Sequence, residues 1–206
     1  MSLRPIKRAV GARRRLLPPF RSRYPSFGRA FAAMRTLLLP ATVLVAFGAT
    51  SAGAHVTLET REATAGTSHK AVFRVPHGCK GKPTIKVRVQ IPDGVIAVKP
   101  QPKAGWNLEK IKGKYAKSYD YHGTTITEGV QEVSWSGGNL PDDEYDEFVI
   151  RLYLTGELKP DTTLYFPVVQ ECSDGAAERW IEIPEAGKPS ANYDAPAPGV
   201  KLLPRK

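Results

Sequence analysis

His55 stands directly after Ala52-Gly53-Ala54, at the end of a segment with a charged Arg35 and an apolar stretch from Leu37 to Ala49. That arrangement reads as a secretory signal peptide with a small-residue cleavage site. Cleavage after Ala54 would make His55 residue one and leave a free α-amine beside its imidazole. The amine nitrogen and Nδ1 of one histidine can close a chelate ring on a single ion, and two nitrogens of intermediate hardness suit Cu(II) ahead of other divalent metals.

Other residues could complete or compete with such a site. Glu147 opens an alternating run whose other face is apolar, so its carboxylate can project sideways toward the first strand. The neighbouring Asp142, Asp143 and Glu144 could supply the oxygen instead, because one sequence does not determine strand register. Trp180 lies in another alternating run, where it either packs on a sheet face or shields a metal from water. Trp106 and Trp135 sit beside glycines and read as core or turn residues. His69, His77 and His122 each fall in polar, turn-like contexts that suggest exposed imidazoles. His77-Gly78-Cys79 hints at a soft copper site, but that would call for a thiolate, two imidazoles and usually a thioether. Both methionines, Met1 and Met34, precede His55.

The net charge of +10 at first suggests an anionic partner such as nucleic acid. Residues 1–54, however, carry nine arginines, one lysine and no acid, so residues 55–206 are formally neutral, with 20 basic and 20 acidic side chains. The apolar stretch is interrupted by Pro40 and falls short of the roughly 20 residues that a membrane span needs. Arg13-Arg14-Arg15 lies well ahead of that stretch, and Met34 reads as the better start. Cys79 and Cys172 both follow the cleavage site, where an oxidising compartment favours a disulfide.

Short alternating runs separated by Pro, Gly, Asn and Asp must position these residues. In Thr84–Ile91, Ile85, Val87, Val89 and Ile91 are expected to share a buried face; in Glu147–Leu154, the core set is Phe148, Ile150, Leu152 and Leu154. Further strands are expected near Val56–Glu59, Ala71–Val75, Val95–Val98, Tyr115–Tyr121, Val130–Trp135, Thr163–Val169 and Arg179–Ile183. Eight or nine strands imply an all-β, immunoglobulin- or cupredoxin-like sandwich. The expected organisation is a leader over 1–54, the sandwich over 55–184, and a flexible Pro- and Ala-rich tail over 185–206.

No nucleophile elbow, zinc-protease helix, phosphate loop or dinucleotide fingerprint occurs. Instead, several motifs stand in order: His55-Val56-Thr57-Leu58, Phe73-Arg74-Val75-Pro76, Val98 to Trp106, Trp135 with its glycines, Leu140-Pro141, Glu144 to Phe148, and Arg179-Trp180. In these the chain resembles the YcnI-like domain family, long a domain of unknown function. The resemblance implies a Cu(II) site made by an N-terminal histidine, a carboxylate and a tryptophan, which by motif are His55, Glu147 and Trp180. It implies an exported, periplasmic and non-enzymatic protein for copper homeostasis, storage or delivery. Its partners would be the copper ion and copper transporters or chaperones outside the cytoplasm, with no nucleic acid and no membrane span after cleavage. The rival readings are a copper oxidase or monooxygenase, which would need a second imidazole, and a metal-free interaction sandwich.

Overall fold

The computed structural model describes residues 55–205. The leader, and with it the signal-peptide reading, lies outside the described residues. Twelve strands follow in chain order: β1 Thr57–Leu58, β2 Glu62–Thr64, β3 Thr67–Val75, β4 Thr84–Gln90, β5 Val95–Pro100, β6 Asn107–Tyr121, β7 Thr124–Leu140, β8 Asp146–Leu154, β9 Thr163–Tyr165, β10 Val168–Cys172, β11 Ala177–Trp180 and β12 Gly199–Leu203. They form a four-stranded sheet in the order β1-β3-β8-β5, a five-stranded sheet β11-β10-β4-β7-β6, and a small sheet β2-β12-β9.

Period-two alternation builds the all-β sandwich that the sequence predicts. Phe148, Ile150, Leu152 and Leu154 of β8 are buried, as are Phe73 and Val75 of β3. Val87, Val89, Val133, Trp135 and Val168 answer them from the five-stranded sheet. Trp135 meets Phe148 edge-on with ring centroids 5.3 Å apart, and its indole N–H donates to the Gln101 carbonyl at 3.0 Å. Each such large buried side chain contributes roughly 1.5–3 kcal/mol relative to exposure. Trp106 also packs on Phe148, with ring centroids 5.0 Å apart. Gly138 permits this, because a Cβ there would overlap the Trp106 ring.

The β6–β7 hairpin turns through His122 and Gly123, both at positive φ (53° and 80°). Two left-handed residues in a two-residue connection match the twist of the flanking strands. His122 is exposed there, in keeping with the turn-like context of its sequence.

Four expectations need correction. Ile85 does not share the buried face of β4: the register slips between Thr84 and Lys86, leaving Ile85 38% exposed while Thr84 is fully buried. Against β10, Ile85 is one extra residue between Thr84, opposite Cys172, and Lys86, opposite Glu171, and such a bulge reverses the facing of the residues beyond it. The single strand expected over Thr163–Val169 is two, β9 and β10, in different sheets. Pro167 separates them, and a residue without an N–H cannot carry a ladder through. His69 is not in a turn: it lies within β3 opposite Leu152, partly buried, and its Nε2 has no hydrogen-bond partner. That burial pushes its pKa below the usual histidine value.

The fourth correction concerns the C-terminal segment. Residues 185–206 are not a flexible tail throughout. β12 runs parallel to β2 and antiparallel to β9, and it buries Val200 and Leu202. A Pro- and Ala-rich composition carries no period, but Ala197, Val200 and Leu202 still supply apolar surface that the neighbouring strands cover.

Cys79 and Cys172 form the expected disulfide, 93 residues apart in sequence. It joins the loop after β3 to the end of β10.

Truncation after Pro184 is therefore expected to destabilise the domain by about 3 kcal/mol or more, since it uncovers Val200 and Leu202 and removes the partner of β2 and β9. Thermal unfolding of the truncated and full chains checks this; equal melting temperatures would refute it. A second expectation follows from His69. Its folded-state pKa lies below the unfolded value near 6.5, so the unfolded chain takes up the proton first as pH falls. The stability associated with neutral His69 is thus present above about pH 6.5 and declines below it. His69→Gln should flatten that decline, as read from denaturant midpoints at pH 7.5 and 5.5.

Candidate functional site

β1 forms one edge of the four-stranded sheet, paired only with β3, and this places His55 at one end of the sandwich. Trp180, the last residue of β11, comes to the same end from the edge of the five-stranded sheet. The two rings meet at a centroid separation of 5.1 Å and an interplanar angle of 68°. Two of the three expected site residues, 125 positions apart in sequence, are thus brought together.

The Asp194 carbonyl lies 3.1 Å from Nε2 of His55. A carbonyl only accepts, so Nε2–H donates in this contact, and in the neutral tautomer that does so Nδ1 keeps its lone pair. Asp194 is held in turn by Glu182: the Ala195 N–H donates to the Glu182 carboxylate at 2.7 Å, and backbone hydrogen bonds tie Glu182 to Ala195 and Ala197. The segment read from sequence as a loose tail is what orients the His55 ring.

Trp180 is buried, and its indole N–H donates to Oε1 of Gln170 at 3.3 Å. Gln170 is fully buried, in register with Val87 of β4, which in turn pairs with Trp135. Its amide nitrogen donates to the His77 carbonyl at 2.6 Å and to the Thr84 hydroxyl at 2.7 Å. A buried carboxamide with its donors and acceptor engaged resists rotation, because any broken contact leaves an unsatisfied polar group. Sequence reading overlooked Gln170. Its signal was a polar residue at an inward position of the alternating run Val168-Val-Gln-Glu-Cys172.

Glu147 is not part of this contact. It lies in β8, in register with Arg74, which is in register with Thr57. Its Oε1 accepts from Arg74 Nε at 3.0 Å, and Arg74 also holds Glu59 at 3.0 Å. Of the other acids, Asp143 and Glu144 are exposed, whereas Asp142 packs beside Gly78, where a Cβ would come within 3.0 Å of its Oδ1. His77 follows β3 and is partly buried, its Nδ1 directed at the Gly78 carbonyl. Among the described residues, no three His, Cys, Asp or Glu side chains converge as a metal-binding group. A groove of about 700 Å³ adjoins His55, with Arg61, Tyr165, Lys188 and Lys201 in its lining.

No helix among the described residues is long and apolar enough to cross a membrane. No curated protein matches the chain. Among solved structures, an uncharacterized protein from Nocardia farcinica with an immunoglobulin-like fold is similar, at 24% identity and a TM-score of 0.53 over 72% of this chain and 98% of that one. This establishes the sandwich as immunoglobulin-like. The family described as a domain of unknown function, DUF1775, matches residues 55–202, which include β12. Expected from its motifs as YcnI-like, the chain belongs to the DUF1775 family.

Proposed function

We propose that the exported domain, once cleaved before His55, binds Cu(II) through the His55 amine and imidazole, with Trp180 lying against the ion and a carboxylate completing the site. The observation that carries this reading is the hydrogen bond from His55 Nε2 to the Asp194 carbonyl. It occupies the ring nitrogen that cannot reach the residue's own amine and leaves Nδ1 available, the nitrogen that can. A backbone carbonyl on the far ring nitrogen is also how metal-bound histidines are commonly oriented. The aromatic edge of Trp180 limits water on that side, and Gln170 holds the indole in place.

Glu147 is the carboxylate to which the family resemblance points. Its ion pair with Arg74 is substantially exposed, and such pairs contribute only about 0–1 kcal/mol, so a metal's charge can compete for it. Asp142, which packs beside Gly78, and Asp194, whose carbonyl meets His55, are the alternatives. The disulfide is compatible with an oxidising, extracytoplasmic setting. Holding or handing over copper requires no catalytic group, and the role proposed is homeostasis, storage or delivery to transporters or chaperones outside the cytoplasm.

One added glycine before His55 converts its amine into a peptide nitrogen, which binds copper well only after losing a proton. Titration of the cleaved and the glycine-extended proteins should show a loss of roughly a hundredfold or more, about 2.8 kcal/mol, with an altered electron paramagnetic resonance spectrum and an unchanged apo melting temperature. Identical affinity and spectrum would exclude the amine as a ligand. Among Glu147→Gln, Asp142→Asn and Asp194→Asn, the variant that removes the carboxylate ligand should lose roughly tenfold in Cu(II) affinity, about 1.4 kcal/mol. If none does so, the carboxylate part of the proposal fails while the histidine part stands.

A further inference from the structure

On the outward side of the four-stranded sheet, Lys70 of β3 is in register with Arg151 of β8, and Arg151 with Lys99 of β5. Three cations therefore stand in one cross-strand row, with neighbouring strands about 4.8 Å apart. All three are exposed, and none forms an ion pair with a described residue. Like charges directly opposite one another across a sheet repel.

The acids nearest along this sheet are already engaged. Glu59 and Glu147 are held by Arg74, and Asp146 by Lys103 at 2.6 Å. Val72 and Val149, paired in register, separate the Arg74 ion pairs from the cationic row. A cavity of about 400 Å³ opens over the row, lined by Ser68, Lys70, Lys99, Gln101, Val149 and Arg151 among others.

Lys99 joins the row only because of a backbone irregularity. Ile96 is opposite Tyr153, but Lys99 is opposite Arg151, so one extra residue is accommodated between them. Without it, Val98 would face Arg151 and Lys99 would point to the opposite side of the sheet. At this bulge Ala97 adopts a positive φ of 50°, a conformation unfavourable for a residue with a Cβ. Bulges commonly re-aim a side chain, and here the strained residue turns a third cation toward the other two.

We propose that the Lys70–Arg151–Lys99 row binds a phosphoryl group. A phosphate carries multiple charge on several acceptor oxygens, which suits a planar guanidinium fork flanked by two compact ammonium groups. Ser68 holds one terminal nitrogen of Arg151 at 3.2 Å and restrains the fork beside the cavity. The site is separate from the proposed copper centre and does not depend on it.

The test is a titration of the isotopically labelled full chain with inorganic phosphate, against chloride at matched ionic strength, read at the backbone amides of residues 70, 99 and 151. A parallel arm sediments the protein with phosphatidylcholine vesicles containing phosphatidylglycerol. Saturable amide shifts specific to phosphate, weakened at least tenfold in both Arg151→Gln and the Lys70→Gln/Lys99→Gln double variant, support the proposal with a soluble phosphate as ligand. Sedimentation lost in the same variants supports it with a lipid headgroup as the source. Equal shifts in phosphate and chloride together with unaltered sedimentation of the variants, or variants that bind phosphate as the parent does, overturn it.

Discussion

A carboxamide sealed from water must find its partners inside the protein, and Gln170 finds three: the His77 carbonyl, the Thr84 hydroxyl and the Trp180 indole. Those partners come from the loop after β3, the start of β4 and the end of β11. One buried side chain thus sets where three segments meet. Replacing it by an apolar residue would strand the indole N–H and the His77 carbonyl in the core, a cost of about 1–3 kcal/mol for each unsatisfied group. The Cys79–Cys172 bond closes the same region from the other side, with Cys172 two residues beyond Gln170.

That end of the sandwich is held together by protein contacts alone, which suits it to the metal proposed there. The His55 ring has its far nitrogen on a backbone carbonyl and packs T-shaped against Trp180, so little ordering would remain for the proposed ligand. In the proposed site the ligand still to be supplied is the α-amine, which only cleavage before His55 would create. A site completed by processing would stay incomplete in the precursor and become competent after export.

The outer face of the four-stranded sheet follows a different logic. On it Glu59 and Glu147 both pair with Arg74, while Lys70, Lys99 and Arg151 are left together. The formal neutrality of residues 55–206 conceals this separation, since a sum over the chain says nothing about which charges share a face.

Local chemistry was legible in the residues themselves. Alternation marked β3, β4 and β8, two cysteines beyond a signal-like segment marked a bond, and His55 after Ala52-Gly53-Ala54 marked an amine and an imidazole that one cleavage would join. Each of these depends on neighbours in sequence or on a pairing with only one possible partner. What tertiary structure decided was register and company. The bulge that exposes Ile85, the one that turns Lys99 outward, the engagement of Glu147 by Arg74, the burial of His69 and Gln170, and the return of Val200 and Leu202 into a third sheet all depend on which strand lies alongside. A period of two tells which residues share a face, but it does not tell which face meets which. A one-residue slip reverses every side chain beyond it, so these contacts are settled only when the sheets have packed.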